Sequence, residues 1–410
     1  MRVLFTSVPA YGHVLPLLPL ARAAQAADME VAVSTAAAFA DIVAPLPLLA
    51  AGPAFPALAE EMYRRTQAPP VTQLDPAAFG ELFGAVRIDL TYPQALAVGR
   101  EWGPDLVIAE REDFVGPMVA AALGVPWARF LLGVDLPAEV TAAITARARQ
   151  RWTAAGLDVS APVATIDPWP VALQPAGWRP AADRIVIRPE PHTSVEQDLV
   201  VESRADIGTA STGARSRVLV TTGTIADNAA TVAAVVDALV SLDIDIVVTG
   251  RHGQPWPLDA DPSRVQQVGF TPLARLLDGV DAAVVAGGAG TVVGALARGV
   301  PLVVLPLVFD QRENAERAAA VGAAVIAEHP GQVAAAVRRV LADPSVRGAA
   351  RVLAGQIAAM DPPDDAWRRL AQMTLTWVSD TTATPVSPAP TPIPATEPAA
   401  VGTPGRRAAG

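Results

Sequence analysis

Short apolar runs alternate with alanine-rich helical segments along most of the chain. In the first half, runs typical of buried strands cover residues 2–8, 30–35, 105–110 and 127–132. In the second half, similar runs cover residues 217–222, 245–249, 265–268, 281–286 and 302–305. Apolar strands separated by helices are typical of parallel, doubly wound α/β sheets. The pattern therefore predicts two Rossmann-like domains.

Three further segments divide the chain. Residues 168–216 are rich in Pro, Arg and Asp and predict an interdomain connection, whereas residues 364–377 have a helical pattern. Residues 381–410 contain seven prolines and almost no large apolar side chains, so they cannot bury enough surface to offset the entropy of ordering. The predicted division is an N-terminal domain with its linker (1–205), a C-terminal domain (206–362), a final helix (363–378) and a disordered tail (379–410).

The composition excludes several chemistries. All 31 basic residues are arginine, and the chain has no cysteine. Lysine Schiff bases, the lysine of Walker-type phosphate loops, thiolate nucleophiles and cysteine-ligated metal sites are therefore excluded. The four histidines are too scattered to predict a metal site, and the formal charge of −10 disfavours nucleic acid as the main partner. Because no apolar stretch reaches the roughly 18 residues of a membrane helix, we expect a cytoplasmic protein without a membrane partner.

A glycine-rich turn follows the apolar run at 281–286. Residues 286–291 read Ala-Gly-Gly-Ala-Gly-Thr and open a helical pattern that extends to about Arg298. Glycines at a strand–helix turn let a ligand approach the backbone, and the first N–H groups of the helix favour an anion such as phosphate. The Thr291 hydroxyl adds a further donor. A turn that needs glycine for packing alone fits the pattern equally well.

Asp310 and Gln311 follow the next apolar run, past its carboxyl end. In an open α/β sheet this edge borders the ligand crevice. An adjacent carboxylate and amide suit a ligand with several hydroxyl groups. Capping of the following helix by Asp310 is the alternative.

A series of motifs runs in one order along residues 1–370. They are residues 2–21, 104–107, 122–126, 173–175, 220–224, 287–291, 299–301, 305–306 and 310–317. Together they resemble family 1 glycosyltransferases, above all the bacterial enzymes that glycosylate antibiotics and other secondary metabolites. The resemblance implies a GT-B fold, in which two Rossmann-like domains face each other across a cleft. It also implies an N-terminal acceptor domain, a C-terminal sugar-donor domain and a final helix that returns to the first domain.

The resemblance further implies a metal-independent, inverting transfer with no cofactor besides the co-substrate, a TDP- or UDP-linked sugar. His13 lies in the loop after the first strand, before a helical pattern at residues 15–27, and matches the general base of the family. Glu110 matches the carboxylate that orients this base, although the family usually has aspartate there. A histidine accepts a proton at neutral pH, and a carboxylate stabilises the imidazolium that forms.

On the donor side, the resemblance implies contacts from residues that follow the strands of the second half. They are Gly223, Thr224, Phe270, Leu273, Ala286, Gly287, Gly288, Gly290, Thr291, Asp310 and Gln311. Phe270 and Leu273 match the stretch that holds the nucleotide base, and both fit a core position equally well. Ala286 is a departure, because relatives carry a histidine there that contacts the diphosphate. Such a hydrogen bond contributes about 1.5–3 kcal/mol, so its loss weakens donor binding roughly ten- to hundredfold unless another group, such as an arginine, replaces it.

The identity of the acceptor is predicted less directly than that of the donor. Aromatic and apolar residues lie where the family's acceptor pocket is expected, namely Met62, Tyr63, Phe79, Phe83 and Tyr92. They favour a polyketide- or macrolide-like acceptor and fit a domain core equally well. The predicted function is transfer of a (deoxy)hexose to a small hydrophobic natural product. Two alternatives stay open, a catalytically silent relative that assists a partner enzyme and a sugar-nucleotide epimerase, and a homodimer is also left open.

Overall fold

The computed structural model describes residues 1–68, 72–191, 215–223, 229–249, 256, 258, 260–269 and 271–382, without the side chains of 380–382. Thr224, Phe270, residues 192–214 of the predicted connection and residues 383–410 of the predicted tail lie outside the described residues.

The N-terminal half forms a six-stranded parallel sheet with helices packed around it. Its strands are β1 Arg2–Thr6, β2 Glu30–Ser34, β3 Leu106–Glu110, β4 Trp127–Phe130, β5 Thr165–Asp167 and β6 Arg184–Val186, in the order β2-β1-β3-β4-β5-β6. Its helices are α1 Tyr11–Val14, α2 Leu18–Ala26, α3 Ala40–Val43, α4 Phe55–Thr66, α5 Pro76–Glu81, α6 Arg87–Trp102, α7 Val115–Leu123 and α8 Ala138–Ala154. All five residues of β3 are buried, which explains why its run is continuously apolar until Glu110.

The C-terminal half repeats this architecture. Its elements are β7 Ser216–Thr221, α9 Ala229–Leu239, β8 Ile244–Thr249, β9 Val265–Val268, α10 Leu273–Leu276, β10 Ala282–Val285, α11 Ala289–Ala297, β11 Leu302–Val304, α12 Gln311–Ala320, β12 Ala324–Ile326, α13 Val333–Ala342 and α14 Pro344–Ala358. The strands form a second six-stranded parallel sheet in the order β12-β11-β10-β7-β8-β9. Two parallel sheets flanked by helices confirm the predicted fold class.

The final helix packs on the first domain. α15 Pro363–Thr382 runs past the predicted end at residue 378, so the first residues assigned to the tail are helical. Its Trp367 and Leu370 side chains are 2% and 0% exposed and lie in the core that contains Leu20 of α2. Beside its start, the Arg188 N–H donates to the Asp361 carbonyl oxygen over 2.7 Å, so the two chain segments that join the domains run side by side.

A tryptophan gives the two domains a shared apolar contact. Trp169 follows β5 and is fully buried in the core cluster of the second domain, together with Val134 and Leu173. Its indole Nε1–H donates to the Leu173 carbonyl oxygen over 3.2 Å, so burial leaves this group hydrogen-bonded. The domains therefore meet in packed side chains as well as through the connecting chain.

Two sequence interpretations need correction. The strands β5, β6 and β12 were not predicted, because three residues are too few to show a period, and β6 lies inside the segment interpreted as a connection. The first helix starts at Tyr11 rather than residue 15, so His13 lies in a helical turn and not in a loop. A 3₁₀ turn over Leu15–Leu17 then separates α1 from α2, because prolines at 16 and 19 lack the N–H groups of a continuous helix. Among the described residues, no helix combines the length and apolar composition needed to cross a membrane.

Candidate active site

His13 and Glu110 form a hydrogen-bonded pair at the carboxyl edge of the first sheet. The His13 Nδ1 and Glu110 Oε1 atoms are 3.1 Å apart, and the Glu110 side chain is fully buried. β1 and β3 are adjacent and parallel, with Thr6 paired to Ala109, so the segments that follow both strands meet at this edge. Glu110 is held from both sides, since Oε1 also accepts the Val8 N–H and Oε2 accepts the Glu112 N–H. The sequence placed these two residues on separate segments, and the fold brings them together.

The electrostatics of the pair make the imidazole more basic. Burial alone lowers the pKa of His13, but the charge and hydrogen bond of Glu110, with the charge of Glu112, outweigh it and raise this pKa above its usual value. Burial alone raises the pKa of Glu110, but His13 outweighs it and lowers this pKa. A carboxylate that stays charged beside a basic imidazole both orients the ring and stabilises the imidazolium.

We expect Glu110→Gln to lower the pKa of His13 more than Glu112→Gln does. Glu110 approaches Nδ1 to 3.1 Å and hydrogen-bonds to it, whereas Glu112 Oε2 stays 3.9 Å away. Removing a carboxylate that raises this pKa must move the titration to lower pH, so a neutral imidazole persists into more acidic solution. NMR titration of the imidazole signals measures this, because only four histidines contribute and the His13→Ala variant assigns one of them. An unchanged titration in Glu110→Gln, or a larger shift in Glu112→Gln, contradicts the expectation.

A buried arginine joins the segments that follow β1 and β3. The Arg87 side chain is 2% exposed, and its Nη2 donates to the Ser7 carbonyl oxygen over 2.8 Å and to Asp113 Oδ1 over 3.3 Å. Its Nη1 donates to the Thr91 hydroxyl over 2.6 Å. Arg87 starts α6 directly after a π-helical turn over Leu82–Val86, a local form often found at functional sites. It therefore fixes the two segments that position His13 and Glu110.

Gly287 is required by the fold of the second domain. Its φ is +101°, and a Cβ atom there would lie 2.7 Å from the Gln311 carbonyl oxygen. The Asn314 Nδ2 donates to the Gly287 carbonyl oxygen over 3.0 Å. Because β10 and β11 are adjacent and parallel, this turn and the segment at Asp310 and Gln311 lie together at one edge. For this residue the packing alternative is sufficient.

Gly288 and Gly290 are different, because a Cβ atom at either position would meet nothing within 4 Å. Gly288 is the N-cap of α11 and has no side chain that could bind the first N–H groups of the helix. Its carbonyl oxygen accepts the N–H groups of Thr291 and Val292 over 3.0 Å, which leaves the N–H groups of Ala289 and Gly290 for a ligand. Ala286, just before the turn, is 4% exposed and brings no polar atom. Thr291 is partly exposed in the first turn of the helix.

Asp310 and Gln311 have separate environments. Gln311 is buried, and its Oε1 accepts the N–H groups of Leu307 and Val308 over 2.8 and 2.9 Å, so only its NH₂ group can still bind a ligand. The Asp310 side chain is 23% exposed and does not cap α12, which disfavours the capping alternative. Burial raises the pKa of Asp310, and the nearby Arg111 opposes this.

The other residues predicted to contact the sugar donor have fewer informative contacts in the structure. Gly223 has a φ of +75° and follows β7, the strand next to β10. Leu273 packs on α11, where a Cβ atom at Gly294 would lie 2.7 Å from its Cδ2. Thr224 and Phe270 lie outside the described residues.

The expected acceptor residues divide into three groups. Met62, Phe79 and Phe83 are buried in one apolar cluster, and the Phe83 ring centroid lies 6.3 Å from that of His13. Tyr63 is 54% exposed on α4, and Tyr92 packs in a different cluster. Phe83 brings this buried cluster next to the imidazole, and we name Met62, Phe79 and Phe83 together the His13 patch.

Phe309 of the second domain completes the His13 patch and was not predicted. Its ring meets the Phe79 ring edge-on at 5.8 Å, and its N–H donates to the Thr72 carbonyl oxygen over 2.9 Å. Its φ of +55° is unusual for a side chain of this size. The contact places an aromatic residue of the second domain, next to Asp310, against the apolar patch of the first.

Arg111, which was also not predicted, connects the two domains. Its Nε donates to Glu112 Oε1 over 2.7 Å, and its Nη2 lies 3.9 Å from Asp310 Oδ2 of the second domain. The charged run at 110–113 directly after a buried strand was the signal for it. No local pattern marks Arg87 or Phe309, because their partners are distant in sequence.

His13, Glu110 and Glu112 also have the spacing of a metal site, with ligand-type atoms within 4.8 Å of one another. However, the Glu110 oxygens already accept two backbone N–H groups and face the imidazole. We therefore interpret the group as a hydrogen-bonded imidazole and carboxylate.

Comparison with known proteins adds the class to this geometry. The N-terminal and C-terminal domains described as "Erythromycin biosynthesis protein CIII-like" match residues 22–181 and 233–373. The chain is 31% identical to L-demethylnoviosyl transferase of Streptomyces niveus, over 88% of this chain and 96% of that protein. It is 28% identical to 3-alpha-mycarosylerythronolide B desosaminyl transferase of Saccharopolyspora erythraea, over 89% and 96%. The glycosyltransferase SsfS6 of Streptomyces sp. SF2575, solved with thymidine diphosphate, is 27% identical with a TM-score of 0.74, over 91% of this chain and 99% of that one.

Fold and relatives together define a GT-B glycosyltransferase of natural-product biosynthesis that uses a nucleotide sugar. The chain belongs to the EryCIII-like family of antibiotic glycosyltransferases. This confirms the resemblance inferred from the motifs and excludes the epimerase alternative.

Proposed function

We propose that the enzyme transfers a (deoxy)hexose from a TDP-linked sugar to a small hydrophobic natural product, with inversion at the anomeric carbon. The names of the relatives, which are transferases of deoxysugars to antibiotic precursors, and the thymidine diphosphate bound to SsfS6 support the donor and acceptor classes. The observation that carries the proposal is the hydrogen-bonded His13–Glu110 pair, because the next residue, Arg111, reaches to 3.9 Å from Asp310 of the second domain.

In the proposed reaction His13 is the general base. Its Nδ1–H donates to Glu110, which leaves Nε2 to accept the proton of an acceptor hydroxyl. The acceptor oxygen then bonds to the anomeric carbon from one face, while the bond from that carbon to the phosphate oxygen breaks on the other. The electron pair leaves on the nucleoside diphosphate, and the proton stays on the imidazolium, which Glu110 stabilises. This route needs no metal ion.

The proposed donor site is the start of α11 with the segment that precedes α12. The diphosphate would accept hydrogen bonds from the N–H groups of Ala289 and Gly290, and the Thr291 hydroxyl would donate to it. Asp310 and the NH₂ group of Gln311 would bind hydroxyl groups of the sugar. The proposed acceptor surface is the His13 patch with Phe309, because an apolar acceptor buried there brings its hydroxyl beside the imidazole.

Binding of TDP tests this proposal, and the glycines supply matched variants. We expect Gly288→Ala to reduce TDP affinity, because the added methyl group occupies space proposed for the diphosphate. The melting temperature should not fall, because this methyl group contacts no protein atom within 4 Å. Gly287→Ala is expected to lower the melting temperature, because its methyl group meets a backbone oxygen at 2.7 Å and the backbone has φ +101°. Calorimetric titration with TDP and thermal unfolding measure the two effects. Absence of TDP binding by the unmodified protein would overturn the donor assignment, and unchanged affinity in Gly288→Ala would overturn the placement of the diphosphate.

A catalytically silent protein that assists a partner enzyme is the alternative. Ala286 is the feature that favours this alternative. The intact His13–Glu110 pair disfavours it, and so do the relatives, because they are named as transferases.

A further inference from the structure

Arg111 occupies a central position between the two domains. It directly follows β3, and its side chain is 11% exposed. Besides the bond to Glu112, its Nη1 donates to the Val134 carbonyl oxygen over 2.6 Å, so the stem and one end of the guanidinium are fixed. The other end, Nη2, faces Asp310 at 3.9 Å, a distance too long for a hydrogen bond.

The segment that Arg111 holds abuts the start of α11. Gly133, next to Val134, is so close to this helix that a Cβ atom there would lie 2.7 Å from the Cβ of Ala289, the first residue of α11. The same Cβ atom would lie 3.8 Å from Asp310 Oδ2. The guanidinium is therefore positioned beside the helix start, on the side where Asp310 lies.

A diphosphate bound at the start of α11 would need a positive charge beside it. Glu110, Glu112 and Asp310 surround Arg111, and the loop at 286–291 carries no charged side chain. A nucleoside diphosphate adds further negative charge, which increases on the leaving phosphate oxygen as the glycosidic bond breaks. In a partly buried site, uncompensated like charges are costly. Arg111 brings a planar donor group suited to phosphate oxygens.

We propose that Arg111 of the acceptor domain binds the donor's diphosphate across the cleft through Nη2 and stabilises the charge of the leaving group. This rests on the proposed function and adds a phosphate-binding residue from the opposite domain. Asp310 then keeps its place beside the sugar, while phosphate oxygens replace it as the partner of Nη2. Arg111 supplies the positive charge that the glycine loop lacks.

The test compares Arg111→Gln with Arg184→Gln. Arg184 is a matched control, because its side chain is also 11% exposed, lies in the same domain and contacts two carboxylates, Asp135 at 3.2 Å and Asp167 at 3.0 Å. Calorimetric titrations with TDP and with thymidine measure affinity with and without the diphosphate. We expect Arg111→Gln to weaken TDP binding about 10- to 100-fold and to leave thymidine binding unchanged. Arg184→Gln should alter neither.

The outcomes separate the inference from the proposed function. If the unmodified protein does not bind TDP, the proposed function fails. If it binds TDP and Arg111→Gln binds it equally well, the inference fails alone. Equal weakening of TDP and thymidine assigns Arg111 a structural role and also overturns the inference. Should the glutamine variant not fold, Arg111→Lys keeps the charge but loses the planar fork, and it must bind TDP more weakly than the unmodified protein while binding thymidine equally.

Discussion

Replacing His13 by alanine is expected to reduce sugar transfer about 10²- to 10⁴-fold, the usual contribution of a general base, and to leave TDP affinity unchanged. The imidazole is held by Glu110 of the first domain, whereas the proposed diphosphate site lies on α11 of the second. Loss of the base should therefore lower turnover without weakening the donor complex. Transfer from TDP-deoxysugars to a panel of aromatic and macrolide aglycones, followed by mass spectrometry, identifies an acceptor for the unmodified protein, and kcat is then compared on that acceptor.

His13→Gln is a useful companion variant, because it keeps a hydrogen-bonding side chain but cannot accept the proton as a base. Both variants should lose turnover to a similar extent. Turnover within a few-fold of the unmodified protein in either variant would show that another group removes the proton.

We expect Trp367→Ala to destabilise the first domain by about 3–5 kcal/mol, as is usual when a buried tryptophan is truncated. Trp367 is 2% exposed and lies on the final helix within the core of the first domain. Urea unfolding monitored by circular dichroism measures the loss. TDP affinity of the folded variant should not change, because this core is remote from α11.

Leu375→Ala on the same helix is the control, because Leu375 is 65% exposed and its truncation should change stability by less than about 0.5 kcal/mol. Similar stability of the two variants would show that α15 is not part of the domain core in solution.

The sequence predicted those parts of the fold in which burial is continuous. β1, β3, β10 and β11 read as apolar runs because most of their residues are buried on both faces of a parallel sheet. The strands β5, β6 and β12 escaped detection because three residues carry too little periodic signal. The start of α1 was missed because α1 is only four residues long and the prolines that follow it interrupt the helical pattern.

The site was predictable where its residues follow strand ends. His13, Glu110, Gly287 and Asp310 could be placed at carboxyl edges from the order of strands alone. The contacts made by Arg111 and Phe309 could not, because they depend on how the two domains meet, and no periodicity within either domain encodes that.

The return of α15 has a consequence for hybrid enzymes made by domain exchange. In a hybrid enzyme with a single fusion point, the final helix comes from the other parent. The first domain then loses Trp367 and Leu370 from its core and must pack against the other parent's residues instead. Two junctions avoid this mismatch, one in the connection after Arg188 and one near Asp361, where the two crossing segments are hydrogen-bonded to each other. The exchangeable unit is thus an internal insert of the chain, and a transplanted insert must also supply a partner for Trp169 at the shared apolar contact.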